Sequence, residues 1–308
     1  MAEIPNLRVR LTNSPENVLL VRQALGGLAE AVDLDPLELN DINTAVSEAC
    51  NNVVVHAYGG GEGALEVDIY ALMPLLRVVV RDHGRGIPRA VKAAEDAAGE
   101  GLDQPIGGIG LPVIRALSRS AEFRDLAGGG TEVRMEFALV GPDERSASHA
   151  HAPQAGEDYG AILGQELTAL GEGPQAPTIA SEGLASTMAL TIAPTALARA
   201  VLPRVLCALA ARAHFSTDRI SDTQLLADAL VAQTDGSLSA THLGVAIGVA
   251  PRRLELRIGP LRAGRAGALV LDSAVHGLGP VLGRLSDGHQ VSVDGVGEIL
   301  ALRVAAER

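Results

Sequence analysis

Aromatic side chains make up 2% of this 308-residue chain, tryptophan is absent, and the only cysteines are Cys50 and Cys207. With so few rings, any core must be built from Ala, Leu, Val and Ile. Neither cysteine falls in a metal-ligand or redox spacing, which excludes a disulfide framework and fits a reducing compartment. No apolar run approaches the ~20 residues that a membrane-spanning helix needs. The opening MAEIPNLRVRL lacks a charged stretch followed by a long apolar one, so a cytoplasmic location without a membrane partner is expected. Positive charge is also short: 25 Lys and Arg stand against 37 Asp and Glu, a net charge of -12. A direct nucleic-acid partner is not expected, because phosphate contacts require clustered Lys and Arg and no basic stripe is present.

Four short motifs carry chemistry. In SEACNNVVVHAYGG, residues 47–60, Glu48 and Asn52 stand four apart in a segment of helical periodicity, so a carboxylate and an amide share one helix face. In VVVRDHGRGIP an apolar run from Leu75 to Val80 reads as a buried strand ending in Asp82, with Gly84 and Gly86 after it. A carboxylate there can accept from an exocyclic amine, and glycines let backbone approach a flat ring. In IGGIGLPVIRALS, Gly107, Gly108 and Gly110 run into an apolar helix, an arrangement suited to an anion. GGGTEVRMEF delivers Thr131 at the head of an alternating strand. His56 reads equally as a packed core histidine or a phosphate contact, and Arg85 as a surface charge. His149 and His151 in HAHAP have no third ligand near them in sequence, so no metal site is expected there.

The order E-x-x-x-N, D-x-G-x-G, G-x-G, G-T over residues 5–140 resembles the nucleotide boxes of the GHKL ATPase superfamily, and the wording around it resembles the anti-sigma-factor serine/threonine kinases. The resemblance implies ATP and Mg²⁺ as cofactors. It implies Glu48 as general base, Asn52 as the Mg²⁺ ligand and Asp82 as the acceptor for the adenine amino group. Gly84 and Gly86 would lie beneath the ring with Thr131 nearby, and Gly108 and Gly110 over the phosphates. A sigma factor and a STAS-type anti-sigma-factor antagonist would be the partners, the antagonist supplying the acceptor hydroxyl. A second reading is a nucleotide-gated protein that sequesters a partner and transfers no phosphate. Kinases of this type work as homodimers, which here leaves a homodimer or an intramolecular pseudo-dimer.

Periodicity predicts strands at 6–12, 64–72, 75–82, 120–126 and 131–139 and helices at 15–32, 37–57 and 110–119. Helices with one apolar stripe and strands gathered in the second half predict a two-layer α/β sandwich. The resemblance specifies a mixed sheet with helices on one face. Residues 88–106, rich in Ala, Gly and acid, read as a mobile lid over ATP. In GPDERSASHAHAPQAGEDYG the alternation ceases, so the expected division is a 1–140 ATP-binding domain, a 141–185 linker and a 186–308 domain. Within the linker, AILGQELTAL has the pattern of a short amphipathic helix.

The last domain reads as a degenerate tandem copy of the first. RLELRIGPLRAGRAG parallels LRVVVRDHGRG, GLGPVLGRLSDG parallels GIGLPVIRALSRS, and VGEILALRV parallels GTEVRMEFAL. Asp228 then stands for Glu48, Ala232 for Asn52, Pro260 for Asp82 and Gly297 for Thr131, so ATP binding is expected to fail there. Gly264 to Gly277 spans a segment shorter than the first lid.

Overall fold

The computed structural model describes residues 4–72, 74–86, 110–139, 186–234, 236–275 and 279–307. The expected lid at 88–106, the linker at 141–185 with its short helix, and Gly107 and Gly108 lie outside these residues. The chain divides into two compact units, one of Arg10–Arg22 and Val32–Ala161, the other of Met1–Val9, Gln23–Ala31 and Ile162–Arg308. They are called here the amino-terminal and carboxy-terminal units.

The chain opens with β1 (Leu7–Thr12) and α1 (Pro15–Ala31). The fully buried Asn17 closes the corner between them, its amide donating to the Thr12 carbonyl at 2.9 Å and hydroxyl at 3.0 Å. Helix α2 (Pro36–Asn52) starts where Asp35 accepts from the Leu37 N–H at 2.7 Å and Pro36 occupies a position with no N–H to satisfy. Ile42, Ala45, Val46, Ala49 and Cys50 form its buried stripe at the 3.6-residue period. Burial pushes the Cys50 thiol up to about 12, which makes it an inert core residue. The single helix expected over 37–57 is α-helical only to Asn52 and continues as a π-helical turn, Val53–Ala57. Its three successive β-branched valines have lower α-helical propensity than the Ala-, Leu- and Glu-containing stretch before them.

Next come β2 (Ala64–Leu72), β3 (Leu75–Arg81), α3 (Gly110–Leu117), β4 (Ser120–Asp125) and β5 (Thr131–Ala138). The strand order is β2-β3-β5-β4. Where the resemblance implies a mixed sheet, each of these pairs is antiparallel. Short connections dictate that outcome for β2–β3 and β4–β5, since a parallel pair needs a long crossover. The second of these connections is a tight turn in which the Leu126 and Gly129 N–H groups donate to the Gly130 and Leu126 carbonyls at 3.0 Å.

The carboxy-terminal unit contains β6 (Ser186–Ile192), α4 (Ala198–Arg212), α5 (Thr217–Thr234), β7 (Leu243–Ala250), β8 (Arg253–Leu261), α6 (Arg265–Asp272), the two-residue strands β9 (Ala274–Val275) and β10 (Gly279–Pro280), α7 (Val281–Leu285), β11 (Gly288–Val293) and β12 (Glu298–Ala305). Its order β7-β8-β12-β11, again antiparallel, has the connectivity of β2-β3-β5-β4. Two helices precede each set, and α7 stands in the chain where α3 does. Arg219 is the polar anchor of this unit. Its guanidinium is buried and donates to the Ala305 carbonyl at 2.7 Å, the Leu285 carbonyl at 3.1 Å and Asp287 at 2.6 Å. Among the described residues, no helix of either unit is long and apolar enough to cross a membrane.

Candidate functional site

The site begins where β3 ends. Alternation along the strand turns Arg81 and Asp82 to opposite sides. Arg81 binds Asp68 at 2.6 Å and Glu132 at 2.7 Å. Burial opposes its charge, but these two carboxylates outweigh burial and raise its pKa. Asp82 is 3% exposed and lines a cavity on the other side. Its N–H donates to the Thr131 carbonyl at 3.0 Å, which ties the end of β3 to the start of β5. One carboxylate oxygen accepts from the Gly84 N–H at 2.8 Å, and its other oxygen has no protein donor among the described residues.

Residues 82–86 are held against the π turn. The Arg85 N–H donates to the Ala57 carbonyl at 2.9 Å, and a Cβ on Gly84 would sit 2.1 Å from that same oxygen, so only glycine fits. Gly130, at φ +96°, is just as confined, since a Cβ there would meet the Asp82 carbonyl at 2.1 Å. The Tyr58 hydroxyl accepts from the His83 N–H at 2.9 Å and donates to the Ala64 carbonyl at 2.7 Å. The loop is therefore fixed by bonds to backbone on both of its flanks, which pre-organises Asp82.

The second wall is the end of α2. Glu48 and Asn52 lie on one face of this helix, and α3 packs on α2 with its first residue, Gly110, against them. A Cβ on Gly110 would come 3.0 Å from Glu48 Oε2 and 3.5 Å from Asn52 Oδ1. Glu48 is half-buried and makes no hydrogen bond or ion pair among the described residues.

Between these walls lies a cavity of about 320 Å³, entirely within the amino-terminal unit. Val53, Val80, Leu111, Phe123 and Val133 give it apolar walls; Asn52, Asp82 and Thr131 are the polar groups inside, and His56 and Arg85, both exposed, stand at its edge. A slot of this size, apolar with a few convergent polar groups, suits a planar ring that offers an amine to Asp82. Among the described residues no cluster of three or more His, Cys, Asp or Glu could hold a metal. A divalent cation beside Asn52 would take one amide oxygen from the chain and the rest from ligand and water, a donor set that Mg²⁺ accepts.

Of the residues singled out in sequence, Asn52, Asp82, Gly86 and Thr131 line this cavity. Gly84 lies in the loop beneath it, Gly110 and Glu48 meet beside Asn52, and Gly108 lies outside the described residues. Leu111, Phe123 and Val133 also line the cavity, and as apolar residues in periodic segments they carry no sequence signal that separates a cavity wall from a core. Tyr58 was passed over although it sits inside the first motif, directly before a glycine pair.

The family model described as histidine kinase-like ATPase domain matches residues 11–137. The chain is 29% identical over 129 residues to the anti-sigma F factor of Caldanaerobacter subterraneus, spanning 42% of this chain and 90% of that one. It is 31% identical over 137 residues to the serine-protein kinase RsbW of Bacillus pumilus, spanning 42% of this chain and 83% of that one. Among solved structures, the RsbU and RsbW domains of a Mycobacterium tuberculosis protein align at 21% identity and a TM-score of 0.31, covering 44% of this chain and 33% of that chain.

Proposed function

The chain belongs to the histidine kinase-like ATPase family through residues 11–137, and from that premise we propose that it is an ATP- and Mg²⁺-dependent protein serine/threonine kinase of the anti-sigma type. The observation that carries this reading is the buried Asp82 carboxylate, held on a pinned loop with one oxygen that meets no protein donor among the described residues. Asp82 accepts from the adenine amine, Thr131 and Gly86 border the ring, and Asn52 is the chain's ligand for Mg²⁺. When bound, ATP would supply the phosphoryl group and Mg²⁺ would offset its charge. Glu48, on the same helix face as Asn52, would take the proton from the acceptor hydroxyl as that oxygen attacks the γ-phosphorus of ATP, the β,γ-phosphoanhydride bond breaks and ADP leaves. A sigma factor and its antagonist are the proposed partners. The proposed division is a catalytic domain to residue 140, a linker to 185 and a further domain to 308.

The test is calorimetric titration of the full chain with ATP or ADP and Mg²⁺. Asp82→Asn, which keeps the shape but offers a donor in place of an acceptor, should weaken binding by about 100-fold. Unaltered affinity would sink the assignment. Glu48→Ala should leave binding near wild type and lower phosphate transfer to a co-purified partner by about 100-fold or more.

A second reading, a nucleotide-gated protein that sequesters its partner without phosphotransfer, is favoured by one observation. Glu48 is absent from the lining of the cavity and rests beside Gly110. Nucleotide binding without phosphate on any partner, in wild type and Glu48→Ala alike, would decide for it.

A further inference from the structure

The cavity of the amino-terminal unit is framed by α2 and its π turn, α3, and the strands β3, β4 and β5. The elements in the same chain and sheet positions of the carboxy-terminal half are α5, α7, β8, β11 and β12. Beside them lies α6, which packs against α5, α7 and β12. This helix is formed by the connection from β8 to α7, the counterpart of residues 82–109 between β3 and α3. Ala266, Leu269 and Val270 form its buried face at i, i+3 and i+4, none more than 4% exposed, while Leu271 faces outward at 74%. On α7, a Cβ at Gly283 would be 3.5 Å from Val270, so the two helices are in close contact.

Both ends of α6 are fastened. The Glu298 carboxylate accepts from the Gly264 N–H at 2.6 Å and the Ala266 N–H at 3.0 Å, satisfying donors that a helix start leaves open. A bulge between Glu298 and Leu300 interrupts the β12–β8 register at this point. The residue in its place in the amino-terminal half, Glu132, binds Arg81 instead. At the far end, Ser273 is buried, its carbonyl accepting from the Val281 N–H and its hydroxyl from the Leu282 N–H, each at 2.9 Å. The first donors of α7 are thereby used inside the chain.

We propose that α6 is a built-in occupant of the ligand site of the carboxy-terminal half. The chain's own apolar helix fills the space and its own groups saturate the donors, so this half binds no nucleotide and keeps its fold without one. The inference rests on reading residues 186–308 as a degenerate copy, and not on phosphotransfer by the other half.

Hydrogen exchange of the full chain, with and without ADP and Mg²⁺, tests it. The amides of residues 265–272 should be protected in both conditions and to the same degree. Exchange at free-peptide rates without nucleotide, or protection gained only when nucleotide is added, would make α6 a lid and overturn the proposal. Glu298→Gln should speed exchange across α6 by about tenfold, the loss expected for a charge-assisted bond; Leu269→Ala should do the same by emptying part of the site. Unchanged exchange in both variants would remove the fastening on which the proposal depends. Photolabelling with an azido-ATP should mark residues before 140 alone, and a label in 186–308 would also overturn it. Protection of α6 in a chain that takes up no nucleotide anywhere would leave this inference standing while refuting the proposed function.

Discussion

Tyr58 illustrates how much of the site is held by groups that would never touch a ligand. Its ring occupies the space that a Cβ on Gly63 would need, closest approach 2.0 Å, and its hydroxyl bridges the His83 N–H to the Ala64 carbonyl. Tyr58→Phe removes both bonds while preserving the ring. Because His83 is exposed and its N–H can rehydrate, the cost in stability should be only ~1 kcal/mol by chemical denaturation. Nucleotide affinity should fall about fivefold as Asp82 loses its fixed position, which calorimetry would read. Equal affinity in the variant would mean that the Gly84 and Arg85 backbone bonds hold the loop alone.

At the scale of elements, the contact between α2 and α3 places Gly110 where a methyl would press on the Glu48 carboxylate at 3.0 Å. The carboxylate is the free end of a flexible side chain, and alanine is the better helix former, so Gly110→Ala should leave the melting temperature near that of wild type. Displacing Glu48 should lower turnover about tenfold, measured as phosphate transferred per unit time. Most elements were legible in the sequence because the alternation in 64–72, the apolar run of 75–80 and the apolar stripe of α2 are strong local signals. The π turn was not, since the apolar pattern of Val53 to Ala57 fits either helix. Asp82, Asn52 and Thr131 were legible because each sits at the end of a periodic segment, where a polar residue stands out. Leu111 and Phe123 were hidden because an apolar side chain facing a cavity and one facing a core leave the same trace. Helix α6 was hidden too: its stretch read only as a shortened loop, and its role depends on Glu298, more than 30 positions away.

For the molecule as a whole, the acid limit of stability follows from carboxylates spread over both units. The Arg77 guanidinium holds Glu136 below its usual value, and backbone N–H groups led by Gly264 do the same for Glu298. A group with a lowered folded pKa stabilises fully above its unfolded value and loses that contribution as pH falls through the folded one. Asp228 is shifted the other way, raised by burial with Arg199 opposing, so it gains stability as pH drops through its own range. Denaturation followed from neutral into acid conditions should therefore show stability declining below the ordinary carboxylate range, and Glu136→Gln should flatten that decline. A variant as acid-labile as wild type would place the acid limit elsewhere. The absence of tryptophan has an optical consequence. With three tyrosines in the chain, near-ultraviolet emission is dominated by phenol rings, and Tyr58, wedged between the Asp82 loop and the start of β2, is a native fluorophore bonded to the loop that carries Asp82.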